Sequence, residues 1–144
     1  MEQKNMIALM SRITELTNRM IVDELKMRGI QGIVPSHGGI LVKLFSGRQY
    51  TMQEMAAAIH RTKPTVTVLV AKLEEQGYVQ RTKSPEDSRV TLLHITEQGR
   101  ALEPVFQEVS AKLNALVYQG LTEEKAQAMT TALRQILERL AEEH

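Results

Sequence analysis

The chain has no cysteine and no tryptophan, and only three tyrosines and two phenylalanines among 144 residues. Without cysteine there are no disulfides, no thiolate metal sites and no thiol-based redox sensor. So few aromatic rings argue against a surface that stacks unpaired bases, which makes single-stranded nucleic acid a poor partner. No apolar run approaches the roughly 18 residues needed to span a bilayer. The opening Met1-Glu2-Gln3-Lys4-Asn5 is too polar to read as a signal peptide, so a cytoplasmic protein with no membrane partner is expected. A charge excess is lacking too. The formal net charge of +1 makes no argument for nucleic acid by itself, so the placement of charge must decide. There is no glycine-rich phosphate loop, no nucleophile elbow and no metal-binding helix motif. His37, His60, His94 and His144 are scattered, with no His-x3-His spacing. The sequence therefore reads as a non-enzyme with neither metal nor cofactor.

What is present is helical periodicity, with 42% hydrophobic residues to build a core. Met6, Leu9, Ile13, Leu16 and Met20 recur at spacings of three and four, which predicts an amphipathic helix over about Asn5 to Arg28, stopped by Gly29 and Gly32. Pro35 suits the first turn of a second helix reaching Phe45, with Ile40, Leu41 and Leu44 inward. Thr51 stands three residues before Glu54, a capping box that opens a short helix to Ile59. After His60-Arg61, Thr62 caps a further helix that carries Pro64 in its first turn, buries Val66, Leu69, Val70 and Leu73, and ends at Gly77.

Tyr78 to Lys83 and Arg89 to Ile95 then read as two strands joined by the polar turn Ser84-Pro85-Glu86-Asp87-Ser88. Thr96 caps a long helix in which Pro104 predicts a kink, and Gly120 ends it. Thr122 caps a last helix with the stripe Met129, Leu133, Ile136, Leu137 and Leu140. The predicted fold class is mainly α with a small β-hairpin wing. A winged helix-turn-helix at 35–100 (helix-turn-helix about 51–76, wing about 78–95) is flanked by an N-terminal dimerisation helix at 1–34 and C-terminal dimerisation helices at 101–144. The alternative use of those end helices is an intramolecular bundle.

Charge placement supplies the chemistry. Between Met55 and Leu73 lie Arg61, Lys63 and Lys72 and no acid. The exposed start of the second motif helix presents Thr62, Lys63, Thr65 and Thr67, a set of cations and hydroxyls suited to phosphates and base edges in a major groove. Many helices begin with Thr and Lys, so the helix start alone is equally a solvated cap. The hairpin adds Arg81 and Lys83 on one strand and Arg89 on the other, a basic rim able to follow a sugar-phosphate backbone or enter a narrow minor groove. Asp87 has the wrong sign for that surface, which suggests that it orients Arg89 or caps the turn.

The runs Thr51-Met52-Gln53-Glu54-Met55-Ala56, Lys63-Pro64-Thr65-Val66-Thr67 and Leu73-Glu74-Glu75-Gln76-Gly77-Tyr78-Val79 resemble the MarR family of transcription regulators. So do Pro85-Glu86-Asp87-Ser88-Arg89 and Ile95-Thr96-Glu97-Gln98-Gly99-Arg100. The resemblance implies a homodimer with interleaved end helices and a repressor bound to a palindromic double-stranded DNA operator. Thr62, Lys63, Pro64, Thr65 and Thr67 would match the recognition-helix positions in the major groove, and Asp87 and Arg89 the wing motif, with Arg89 in the minor groove; Arg61, Arg81, Lys83 and Ser88 complete the candidate DNA-binding set. Val68 departs from the family pattern, since many members carry Arg there. The resemblance also implies a small aromatic or phenolic effector, for which Arg12, Arg19, His37 and Lys43 are the candidate contacts and Met10, Met20 and Met27 a pliable lining. The competing function is a winged-helix module for protein–protein contact, without specific DNA binding.

Overall fold

The computed structural model describes residues 4–143, folded as seven helices and three short strands among those residues. Helix α1 (Met6–Met27) is closed by Gly29 at φ +80°, and the Ile30 amide reaches back to the Leu25 carbonyl. That six-residue return lets the chain reverse without leaving the last carbonyls bare. Helix α2 (Pro35–Leu44) begins at the expected proline and buries Ile40, Leu41 and Leu44 completely.

The capping box forms as the sequence implies. Thr51 Oγ1 accepts the Glu54 amide at 3.0 Å, and Glu54 Oε1 accepts the Thr51 amide at 2.9 Å, opening α3 (Met52–Ile59). His60 takes the left-handed conformation, φ 56° and ψ 48°, and turns the chain into α4 (Lys63–Glu75). Met55 and Ala56 of α3 and Val66, Val70 and Leu73 of α4 are buried together with Leu41 and Leu44. Gly77, at φ +85°, ends α4 as Gly29 ends α1.

The sheet has one strand more than the hairpin read from the sequence. Strand β1 (Tyr50–Thr51) pairs antiparallel with β3 (Thr91–Ile95), and β2 (Val79–Lys83) pairs with the other edge of β3, giving the order β1-β3-β2. The register sets Tyr50 against Leu93, Val79 against Ile95 and Lys83 against Thr91. β3 is thereby central, and Leu93 is fully buried.

The kink expected at Pro104 is a break instead. Thr96 caps only α5 (Glu97–Arg100), a turn follows at Ala101-Leu102, and α6 (Glu103–Tyr118) begins afresh with Pro104 in its first turn. There the missing proline N–H has no helical acceptor to leave empty, so a new helix costs less than a bent one.

Gly99 of α5 lies against the residue that precedes β2, and a Cβ on it would stand 2.2 Å from the Tyr78 carbonyl oxygen. Because the obstacle is backbone, Gly99→Ala is expected to destabilise the fold by about 2–3 kcal/mol, as overpacking does. Urea unfolding should show the midpoint falling at constant slope, and an unchanged midpoint would contradict this contact.

By packing, the chain divides into a unit ending at Ser110 and a unit beginning at Ala111. The residues that form the core, from Leu25 to Val109, all belong to the first. In the second, α7 (Glu123–Glu142) has no buried residue, and Met129, Leu133, Leu137 and Leu140 of its stripe are exposed. The apolar residues Met6, Ile7, Leu9, Ile13 and Leu16 of α1 are exposed as well.

Candidate nucleic-acid interface

The start of α4 is built from local hydrogen bonds. Thr62 Oγ1 caps the helix by accepting the Thr65 amide and donates its own proton to Thr65 Oγ1 at 2.9 Å. The Thr67 hydroxyl donates to the Lys63 carbonyl at 2.9 Å. With Val66, Val70 and Leu73 fixed in the core, Arg61, Thr62, Lys63, Pro64, Thr65 and Thr67 are all left exposed. Arg61 and Lys63 have no carboxylate within salt-bridge distance among the described residues.

At the wing tip the Ser84 amide donates to the Val90 carbonyl and the Val90 amide to the Asp87 carbonyl, closing the turn. Asp87 does what its awkward sign suggested. Its Oδ1 accepts both the Arg89 amide (3.0 Å) and Nε (3.1 Å), while Oδ2 accepts Nη2 at 3.2 Å. These bonds, first those from the guanidinium, hold the Asp87 carboxyl below the usual carboxylate range. The Arg89 side chain stays 89% exposed while its direction is set by a neighbour two residues away. Lys83 and Ser88 are exposed beside it.

Arg81 is placed differently from the rest of the rim. Its guanidinium lies on Glu74 of α4, at 2.8 Å from Nη2 and 3.1 Å from Nε to one oxygen. The hydrogen bonds between them lower the Glu74 pKa and raise that of Arg81. Arg81 therefore ties β2 to α4 and adds little free positive charge.

The structure brings Lys63 and Arg89 to one notch of about 210 Å³, lined also by Thr51, Met52, Gln53 and Thr91. Two cations from separate elements thus share a concave, solvent-open site at the amino end of α3. Thr51 to Gln53 were not among the DNA-binding candidates read from the sequence, although the capping box found there is what opens α3 at this notch.

The four candidate effector contacts do not converge. Arg12 and Arg19 both pair with Glu15 on the exposed side of α1, at 3.0 and 3.2 Å. His37 is buried at the start of α2, where Nδ1 accepts the Val34 amide at 3.2 Å. Lys43 lines a groove of about 500 Å³, together with Thr14, Asn18, Ser36, Ile59 and Arg61, and Arg12, Arg19 and His37 do not line that groove. Met10, Met20 and Met27 do not line it. Among the described residues no group of His, Asp and Glu is placed to hold a metal, and His144 lies outside them.

Burial, and then the charge of Lys72, hold His37 below its ordinary value of 6.5. The unfolded chain takes up a proton there that the folded chain refuses. Stability is accordingly full above the ordinary value and declines as pH falls through it toward the folded pKa. Melting between about pH 7.5 and pH 5.5 should show this decline in the wild type and a flatter profile in His37→Asn, where titration is removed. Parallel profiles would refute the assignment.

Comparison with known proteins adds three findings. Residues 35–91 match the family model described as MarR family. Over 76 residues the chain is 37% identical to the HTH-type transcriptional repressor IacR of Pseudomonas putida, covering 53% of this chain and 46% of that one. Over 106 residues it is 28% identical to the HTH-type transcriptional regulator MhqR of Bacillus subtilis, covering 73% and 72%. The match thus spans less than half the length of IacR. Among solved structures, the S. aureus MepR–DNA complex superposes with a TM-score of 0.87 at 23% identity, covering 95% of this chain and 99% of that one. The transcriptional regulator SlyA gives 0.85 at 16%, covering 97% and 96%. These likenesses establish the winged helix-turn-helix fold.

Proposed function

We propose that this chain, whose residues 35–91 match the MarR family model, is a MarR-type sequence-specific double-stranded DNA-binding transcription regulator. It binds a palindromic operator as a homodimer and represses by occupying it. The observation that carries this reading is the notch in which Lys63 of the recognition helix and Arg89 of the wing stand together, open to solvent. Two cations at the amino end of a helix suit a DNA phosphate, whose oxygens can also meet backbone N–H groups. That a solved MepR structure holds DNA supports the same use of the fold.

The exposed stripes of α1 and α7 supply the dimer seam. An apolar helix face with no partner inside its own chain is stabilised by a second copy. The groove bearing Lys43 and Arg61 receives a small aromatic or phenolic anion. Arg61 immediately precedes the cap of α4, so an anion bound there would shift the turn that aims the recognition helix. A panel of aromatic acids should raise the melting temperature and weaken DNA binding together, and neither effect in any member would dismiss the effector.

The reading is tested by fluorescence anisotropy of the pure protein on its own upstream intergenic DNA, with random DNA as control. Saturable binding above the control is expected. With six or more phosphates contacted per dimer, affinity should fall about a thousandfold between 50 and 200 mM salt. Equal, salt-insensitive binding to both fragments would promote the protein–protein module instead.

A further inference from the structure

We infer that the recognition helix reads thymine methyl groups, with Val68 as the residue that determines specificity in the major groove. This rests on the DNA-binding reading above and concerns how bases are distinguished once the protein is seated.

The first observation is what α4 lacks. From Lys63 to Glu75 it contains no Arg, Asn or Gln. Those are the side chains that grip guanine through O6 and N7, or adenine through N6 and N7, with paired hydrogen bonds. Lysine can also grip guanine, but Lys63 lines the notch it shares with Arg89, and Lys72 lies beside Gly32 and His37, away from the start of the helix. Base-edge hydrogen bonding from this helix is therefore sparse.

The second observation is what the outward face offers. Pro64, Val68 and Ala71 follow spacings of four and three, which stacks them in one row. All three are exposed, and Val68 is 71% exposed. The row lies opposite Val66, Val70 and Leu73, which are wholly buried. An exposed β-branched residue at the middle of such a row gains nothing from the fold. Pro64 lacks even a backbone N–H to donate.

The third observation concerns the threonines beside the row. Thr67 spends its proton on the Lys63 carbonyl, and Thr62 spends its own on Thr65. Only the Thr65 hydroxyl proton remains for a base. What the helix presents to a groove is thus mainly hydrocarbon, framed by Lys63 and Arg61 and free of acids until Glu74. In B-DNA the one apolar group in the major groove is the C5 methyl of thymine. Each methyl buried against Val68 should be worth about a fourfold gain in affinity. Adenine, guanine and cytosine offer this row polar edges that it cannot pair.

The test begins with duplexes selected from a random-sequence library by the full-length wild type. Adjacent T·A pairs should recur in each half-site. The best duplex is then remade with deoxyuridine for thymidine, which removes only the methyl groups, and both forms are titrated against the wild type and Val68→Ala. The wild type should bind the uracil form at least fourfold more weakly, and in Val68→Ala that difference should shrink to twofold or less. Equal wild-type affinity for the two forms, with specific binding intact, would overturn the inference and leave the regulator reading standing. A uracil penalty of the same size in Val68→Ala would also overturn it, by assigning the effect to groove shape. If no duplex is enriched at all, the inference falls together with the DNA-binding reading.

Discussion

Changing Leu133 and Leu137 together to Glu should leave a folded monomer whose DNA affinity is at least a hundredfold lower. Both residues lie on the stripe of α7, with 47% and 67% of their surface exposed in the single chain. No residue of α7 is buried, so the substitutions open no cavity in a core. In a dimer they would place four carboxylates in an apolar seam, where an unpaired charge is strongly unfavourable. The loss in DNA binding follows from geometry. A dimer binds its second half-site intramolecularly, an advantage of about 10²–10⁴ without any new contact. Sedimentation equilibrium should report a monomer, circular dichroism retained helicity, and anisotropy the lost affinity. A variant that stays dimeric would show that the seam lies elsewhere. A monomer with undiminished affinity would show that the half-sites act independently.

Arg89→Ala should weaken operator binding by about tenfold to a hundredfold, and Lys63→Ala by a comparable factor, with different consequences for sequence preference. Under the proposed function Arg89 would enter the minor groove, so its loss should relax discrimination at the outer positions of the site as well as lower affinity. Under the same proposal Lys63 would hold phosphate, so its loss should weaken all sequences alike and reduce the salt slope. The two line one notch, so the double variant should fall short of the product of the single effects. Arg81→Ala is the internal control. Its charge is compensated by Glu74, so it should cost stability more than affinity. A larger binding loss for Arg81→Ala than for Arg89→Ala would reverse the assignment of the rim.

What the sequence made legible was chemistry between near neighbours. The Thr51–Glu54 box, the Thr62 and Thr122 caps, and the stops at Gly29, Gly77 and Gly120 are each decided within five residues. So was the Asp87–Arg89 clamp, inferred from an acid that made no sense by charge alone. What escaped notice depended on distant partners. β1 is two residues long and exists because β3 lies beside it, so no local alternation announces it. Pro104 looked like a kink because the apolar spacing runs on through Leu102, whereas the chain breaks there and Gly99 packs onto the Tyr78 carbonyl. Arg81 counted as a free cation until the reversal at Gly77 brought it onto Glu74. The effector candidates were chosen by residue type on α1 and α2. Helical phase then paired Arg12 and Arg19 with Glu15, and burial gave His37 to the Val34 amide.

The central claim is that two copies of this chain set two recognition helices into one two-fold DNA site. Hydroxyl-radical footprinting of the protein on its bound duplex tests it most directly. Two protected patches related by a two-fold axis and about one helical turn apart are expected, with further protection just outside them from the wings. A single patch, or protection that spreads evenly without symmetry, would contradict it.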